Sequence, residues 1–128
     1  MKKSILLLAL LGLLLSCHKN EEELAPASLA GIWKLTEVLA DPGDGSGTFQ
    51  PVSSNKKIVF TSDSKVTSNG SVCDMSIESN SSTTASYSEA THTIDCQNRP
   101  VQYELNGNTL ILSYFCIEGC QAKYIKVP

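Results

Sequence analysis

The chain has 128 residues and a formal net charge of −3, with 10 Lys and Arg against 13 Asp and Glu. This balance excludes the basic surface that nucleic-acid binding requires, and the largest basic cluster beyond the N-terminus is Lys56-Lys57. The length predicts a single domain over residues 29–128, after an N-terminal segment is set aside.

Residues 1–16 have the pattern of an export signal. Lys2 and Lys3 precede an uncharged apolar run over residues 5–15, which is too short to cross a bilayer because a spanning helix needs roughly 17–25 residues. The run ends in Leu14-Leu15-Ser16-Cys17, which resembles the lipobox of bacterial lipoproteins. The resemblance implies cleavage between Ser16 and Cys17 and attachment of palmitate-type acyl chains to Cys17. The alternative is an ordinary signal peptide in which Cys17 is incidental.

Residues 17–28 have the composition of a solvated linker. The segment lacks apolar periodicity, contains Pro26 and carries the acidic run Glu21-Glu22-Glu23. The run resembles the acidic signals that follow the lipidated cysteine in surface-exported lipoproteins of Bacteroidetes. In the other interpretation it is only linker. We therefore expect a cell-envelope protein with a lipid anchor, most simply in the outer membrane, facing either the periplasm or the outside.

Alternating apolar and polar residues predict about eight short antiparallel strands after the linker. Residues 41–47 predict a loop, and Asn69-Gly70 and Asn106-Gly107 predict tight turns. Because local turns join most of the strands, an all-β up-and-down barrel is predicted, since closing the sheet removes its edges. The segments with strand character are 32–38, 56–61, 65–68, 71–75, 83–89, 91–96, 101–105, 109–115 and 122–127.

Four cysteines remain when Cys17 is set aside. An even number in an exported domain predicts two disulfides. Cys116 and Cys120 flank a three-residue loop whose Gly119 suits a left-handed position, so they are predicted to pair across a hairpin, leaving Cys73 with Cys96. A zinc site that includes His92 is the alternative, although Cys73 and Cys96 lack the close spacing of a zinc knuckle.

The first strand contains a recognisable motif. Gly31-Ile32-Trp33 is similar to the glycine-x-tryptophan signature of lipocalins, and the order of Leu29 to Leu35, Lys57 to Phe60 and Asn108 to Leu112 resembles lipocalin-like lipoproteins of Bacteroidetes. The resemblance covers about residues 29–127 and implies a barrel. Trp33 would either plug the closed end of that barrel or contact a ligand.

The pattern lacks the features of an enzyme. No phosphate-binding loop, nucleophile elbow or metal-ligand pair occurs in the sequence. His92 lies in a segment where alternation places it on one face with Ile94 and Cys96, so it is expected to pack beside the disulfide of Cys96. We therefore expect no catalysis and no cofactor.

Two functions fit these expectations. The barrel either binds a small apolar ligand, or it is filled by side chains and serves as a structural or protein-interaction module of the envelope. The candidate wall of a ligand cavity is the inward-facing set Trp33, Leu35, Phe60, Tyr103, Leu105, Leu110, Leu112 and Tyr114.

Overall fold

The computed structural model describes residues 28–97 and 99–128. The predicted signal peptide, the cleavage site at Ser16 and Cys17, and the linker before Ser28 lie outside these residues. None of the described residues belongs to a helix long and apolar enough to cross a membrane. The described residues form nine strands: β1 (Gly31–Ala40), β2 (Gln50–Pro51), β3 (Lys57–Phe60), β4 (Lys65–Ser68), β5 (Thr83–Ser88), β6 (Thr93–Asp95), β7 (Val101–Asn106), β8 (Thr109–Ser113) and β9 (Cys120–Lys126).

The strands form one closed antiparallel meander. Each strand from β3 to β8 pairs with the next in the chain, and β1 pairs with both β3 and β9, so eight strands close the barrel. The two-residue β2 pairs only with the second half of β1. The predicted all-β up-and-down barrel is thereby confirmed. Closure leaves only the short β2 at an edge, which limits edge-to-edge association.

The two ends of the barrel differ in their loops. The end where β1 begins, called the entry end here, carries the short turns 61–64, 89–92 and 107–108. Gly107 adopts φ +59°, which a two-residue turn between β7 and β8 requires. The opposite end, called the far end, carries the longer segments 41–49, 69–82, 96–100 and 114–119. The far end therefore has the chain length needed to form a lid or a binding site.

Alternation along the strands fills the interior. The inner face carries Trp33 and Leu35 of β1, and a register shift after Leu35 turns Val38 back toward the core. Outward positions are polar, as in the ion pair between Lys123 Nζ and Glu37 Oε2 at 2.9 Å. The buried apolar residues include Trp33, Leu35, Ile58, Phe60, Val66, Val72, Tyr87, Ile94, Val101, Tyr103, Leu110, Leu112, Ala122 and Tyr124.

Gly31 explains the glycine of the sequence motif. It adopts φ +134°, a conformation that L-residues rarely take. A β-carbon there would also lie 3.0 Å from Cε of Lys126, which crosses beside it from β9. The glycine thus lets β1 enter the barrel against the end of β9, two residues before the buried Trp33.

The predicted strand over residues 71–75 is wrong. The whole segment 69–82 is a loop at the far end. Along the loop, three side chains each accept a hydrogen bond from the backbone N–H two residues later. Ser71 accepts from Cys73, Asp74 from Ser76, and Ser76 from Glu78. These local bonds compete with a strand ladder, and the turn that they favour replaces the strand.

Candidate functional site

In the described part of the molecule a cleft opens at each end of the barrel. The far-end cleft has a volume of about 650 Å³ and the entry-end cleft about 740 Å³. Both fall within the range of about 300–1,000 Å³ that small-molecule sites occupy. Their linings differ in character.

The far-end cleft has an apolar wall and a charged rim. Tyr114 and Phe115 line one side, Met75 of the loop lines another, and Ala85 and Val101 come from β5 and β7. The rim carries the carboxylates of Asp74 and Asp95 and the guanidinium of Arg99, which stacks 3.4 Å above the ring of Phe115. Such a combination of apolar walls with a few polar groups is typical of ligand sites.

The two disulfides border this cleft. Cys73–Cys96 joins the loop 69–82 to the end of β6, with α-carbons 5.7 Å apart, and Cys116–Cys120 closes the segment before β9, with α-carbons 6.1 Å apart. Both predicted pairings are confirmed, and both consume the thiols that a zinc site would have needed. Gly119 does not take the predicted left-handed conformation, because β8 ends at Ser113 and the closing segment is a wider loop.

Lys56 is a buried cation behind the loop 69–82. Its side chain is 0% exposed, and its Nζ donates to the backbone carbonyl oxygens of Ser76 at 2.6 Å and Asp74 at 3.4 Å. Burial lowers the pKa of the ammonium, and the Asp74 carboxylate partly opposes that shift. Among the described residues the only ion pair joins Lys123 and Glu37. No described carboxylate therefore lies within 4.0 Å of Lys56 Nζ.

Two tyrosine hydroxyls are buried at the same end. The hydroxyl groups of Tyr114 and Tyr124 are shielded from solvent, and neither has a hydrogen-bond partner among the described residues. The two hydroxyls lie close enough for each to act on the other's pKa as a weak hydrogen-bond partner, although their contact does not meet the geometry of a hydrogen bond. Burial is the main cause that raises the pKa of both phenols above the ordinary value. Buried polar groups without partners are rare in proteins, so this pair needs an explanation.

The entry-end cleft is built differently. Trp33 is 0% exposed and its Nε1 donates to the carbonyl oxygen of Leu29 at 2.9 Å, so the tryptophan and Leu29 plug the barrel beneath the cleft. Tyr87 and Tyr103 line the cleft, but their hydroxyls donate to Thr61 and Ser88 carbonyls. The two tyrosine hydroxyls of this cleft are therefore already paired, whereas the Tyr114 hydroxyl at the far end is not.

The predicted position of His92 is wrong. Strand β6 begins only at Thr93, and His92 lies in the preceding turn with φ +53°. Its ring lies 5.4 Å from that of Tyr103 at the entry end, at the opposite end of the barrel from Cys96. The turn breaks the alternation that would have placed His92 beside the disulfide.

The eight predicted wall residues do not line one cleft. Tyr114 lines the far-end cleft, whereas Tyr103 and Leu105 line the entry-end cleft. The other members pack into the barrel core and line neither cleft: Trp33, Leu35, Phe60, Leu110 and Leu112. Lys56 is absent from the predicted site, although period-two alternation places it in phase with the buried Ile58 and Phe60. Tyr124, which is in phase with Ala122, is absent from it too.

The architecture defines a class: a small closed antiparallel barrel with a plugged entry end and a cleft at its far end. Comparison with known families makes the assignment specific. The family model of the lipocalin-like domain matches residues 29–125, so the chain belongs to the lipocalin-like domain family. No curated protein and no solved structure matches the chain significantly.

Proposed function

We propose that this protein is a lipid-anchored lipoprotein of the bacterial cell envelope whose barrel binds a small apolar ligand in the far-end cleft. The observation that carries the binding proposal is the cleft itself, with about 650 Å³ of space between the apolar walls of Met75, Ala85, Val101, Tyr114 and Phe115. A cleft of this volume can bury most of a small ligand. Lipocalin-like barrels are compatible with such a role.

A matched pair of cleft-filling variants tests the binding site. The neutral fluorophore N-phenyl-1-naphthylamine serves as the apolar probe. Ala85→Phe fills the far-end cleft and should abolish the rise in probe fluorescence. Ala30→Phe makes the same change in the lining of the entry-end cleft and should leave the rise intact. The reverse pattern would move the site to the entry end, and an unresponsive parent protein would refute binding. Circular dichroism of both variants checks that the barrel is retained.

The lipid anchor has its own test. Cys17→Ala should release the protein from membranes in detergent-free fractionation, because two or three acyl chains hold a protein stably at about 0.8 kcal/mol per buried methylene. Continued membrane association would contradict the proposal.

Replacing Glu21, Glu22 and Glu23 with Ala should abolish protease accessibility on intact cells if the acidic run directs surface export. Unchanged accessibility would leave the run as linker.

A second candidate function is an envelope interaction module without a ligand. The packed core favours it, since most of the expected cavity wall is buried among other side chains. Two apolar side chains at the far end also favour it, because Phe115 is 70% exposed and Ile117 is 99% exposed. Failure of the probe to bind would support this candidate over the ligand-binding one.

A further inference from the structure

We propose that the entry-end cleft is a second binding site, which takes a small organic ammonium cation between aromatic rings and carboxylates. This site lies at the opposite end of the barrel from the far-end cleft, so it does not depend on the apolar ligand proposed there. It follows from the aromatic lining of the cleft, from the sign of its charges and from the use that its phenol protons already have.

Aromatic side chains form one wall of this cleft. Tyr87, His92 and Tyr103 line it, and the rings of His92 and Tyr103 lie 5.4 Å apart with their planes tilted by 35°. The buried Phe60 packs against both tyrosines, its ring centre 5.0 Å from that of Tyr87 and 6.1 Å from that of Tyr103. The tyrosine rings are therefore held in place by the core before a ligand arrives. Aromatic faces attract ammonium groups, and quaternary ammonium ligands are recognised in this way.

The charged side chains of the lining are acidic. The described residues around the cleft include Glu89 and Glu104, both exposed, and no Lys or Arg. Burial and then the charge of Glu89 raise the pKa of Tyr87 and Tyr103, so this carboxylate acts on both rings. A cation between the rings and the carboxylates is attracted by both, whereas an anion is repelled.

The phenolic hydroxyls of the wall also favour a cation over an anion. Each hydroxyl has one proton, and Tyr87 donates it to the Thr61 carbonyl oxygen at 2.6 Å, while Tyr103 donates it to that of Ser88 at 3.2 Å. With these protons used, the phenols can only accept hydrogen bonds. An anion needs donors and does not find them here, but an ammonium group does not need them.

The carboxylates of the cleft are not neutralised by the described part of the chain. The only ion pair there joins Lys123 and Glu37, so neither Glu89 nor Glu104 has a described cation within 4.0 Å. Lys126 reaches the rim, but its Nζ donates to the Ser28 carbonyl oxygen and lies 5.2 Å from the centre of the Trp33 ring. Its ammonium is therefore engaged at the edge and does not belong to the lining.

The experiment compares two compounds of the same shape. Choline carries a quaternary nitrogen, and 3,3-dimethyl-1-butanol has a neutral carbon in its place. Each is titrated into the full chain at physiological ionic strength, and the shifts of the backbone amide signals give the dissociation constant and the location. We expect choline to bind about tenfold more tightly, because cation–π attraction and the carboxylates act only on the charged compound. The shifts should centre on Tyr87, His92 and Tyr103. Equal binding of the two compounds, or shifts confined to the far end, would overturn the proposal.

A matched pair of double variants assigns the preference to the cleft. Glu89→Gln with Glu104→Gln should remove most of the preference for choline and leave the binding of the alcohol unchanged. Glu78→Gln with Glu118→Gln deletes two carboxylates outside this cleft and should preserve the preference. All four side chains are exposed, so the barrel should tolerate both pairs of changes. If the two double variants weakened choline binding equally, the attraction would belong to the net charge of the protein and the site would be refuted.

A zwitterionic lipid could present the same ammonium group. Dihexanoylphosphatidylcholine, used below its micelle concentration, adds a phosphate next to the choline nitrogen. The two carboxylates of the cleft should repel that phosphate, so we expect weaker binding than for choline and a free cation as the ligand. Tighter binding than for choline, with the same shifted amides, would retain the ammonium site but overturn the assignment to a free cation in favour of a lipid head group.

Discussion

The unpartnered hydroxyl of Tyr124 should cost the ligand-free barrel stability, so removing it should help. Tyr124 is 0% exposed, and its hydroxyl oxygen has no hydrogen-bond partner among the described residues. Burying a hydroxyl without a partner costs about 1–3 kcal/mol by mutational data. Tyr124→Phe keeps the ring and its packing while it deletes the uncompensated group. We expect the free energy of unfolding to rise by about 1 kcal/mol.

Tyr87 provides the matched control. Its hydroxyl donates to the Thr61 carbonyl oxygen at 2.6 Å, so Tyr87→Phe removes a formed bond and leaves an acceptor behind. That change should lower the free energy of unfolding by about 1 kcal/mol. Urea denaturation of both variants gives midpoints and slopes, and equal slopes would show that the unfolded states are comparable. If Tyr124→Phe destabilised the protein as Tyr87→Phe does, its hydroxyl would have a partner and the reasoning would fail.

Three further predictions concern the disulfides, the first strand and alkaline pH. Replacing Cys73 and Cys96 with Ser should lower the free energy of unfolding by about 3.5 kcal/mol, against about 2 kcal/mol for the hairpin disulfide, because the first closes a longer loop; equal losses in urea denaturation would contradict this. Gly31→Ala should lower the free energy of unfolding by about 1–3 kcal/mol, more than Gly107→Ala, since of these two glycines with positive φ only Gly31 also has a close contact; thermal melts give the order. Burial raises the pKa of all four tyrosines, that of Tyr103 to about 12. Their contribution to stability is therefore complete below the unfolded pKa of about 10, and it is lost as pH rises above that value. Phenolate absorbance should then appear together with the loss of circular dichroism; ionisation with the barrel intact would refute it. The lowered pKa of Lys56 adds stability as pH rises, but this change is complete near the unfolded lysine pKa of about 10.4, so it does not oppose the loss from the tyrosines at higher pH.

The sequence predicts the barrel well because period-two alternation reports burial directly. The pattern around Ile58 and Phe60 locates β3 to within a residue or two, and the Asn106-Gly107 signal marks the turn before β8. It fails at Val72, which is 0% exposed and looks like a strand residue in sequence. There the burial comes from a loop folded over the barrel, and alternation cannot distinguish a buried loop residue from a strand residue.

The candidate site is harder to predict because it depends on unfilled space and on polar groups that lack partners. Apolar inward positions were assigned to a cavity wall, yet a small barrel can be filled by the same side chains. Whether Tyr114 faces core or cleft depends on the loop that carries Asp74, and that loop's path is set by a disulfide and local turns. The inward lysine was visible in the alternation, but its lack of a carboxylate partner could be known only from the three-dimensional arrangement.

The position of the cleft relative to the N-terminus gives a last prediction. The described chain begins at Ser28, whose carbonyl oxygen accepts a hydrogen bond from Lys126 at the entry end. Strand β1 spans about 30 Å from there to the far end at about 3.3 Å per residue. If lipid on Cys17 anchors the chain, the entry end faces the membrane and the cleft faces the aqueous side.

A ligand would then reach the cleft from water. Fluorescent labels on Thr48→Cys at the far end and Asn108→Cys at the entry end test this arrangement, because both positions are exposed. With the lipidated protein on vesicles, a quencher embedded in the bilayer should quench the Asn108 label more strongly. Equal quenching at both positions would show that the tether permits the cleft to approach the bilayer, and the aqueous route would lose its basis.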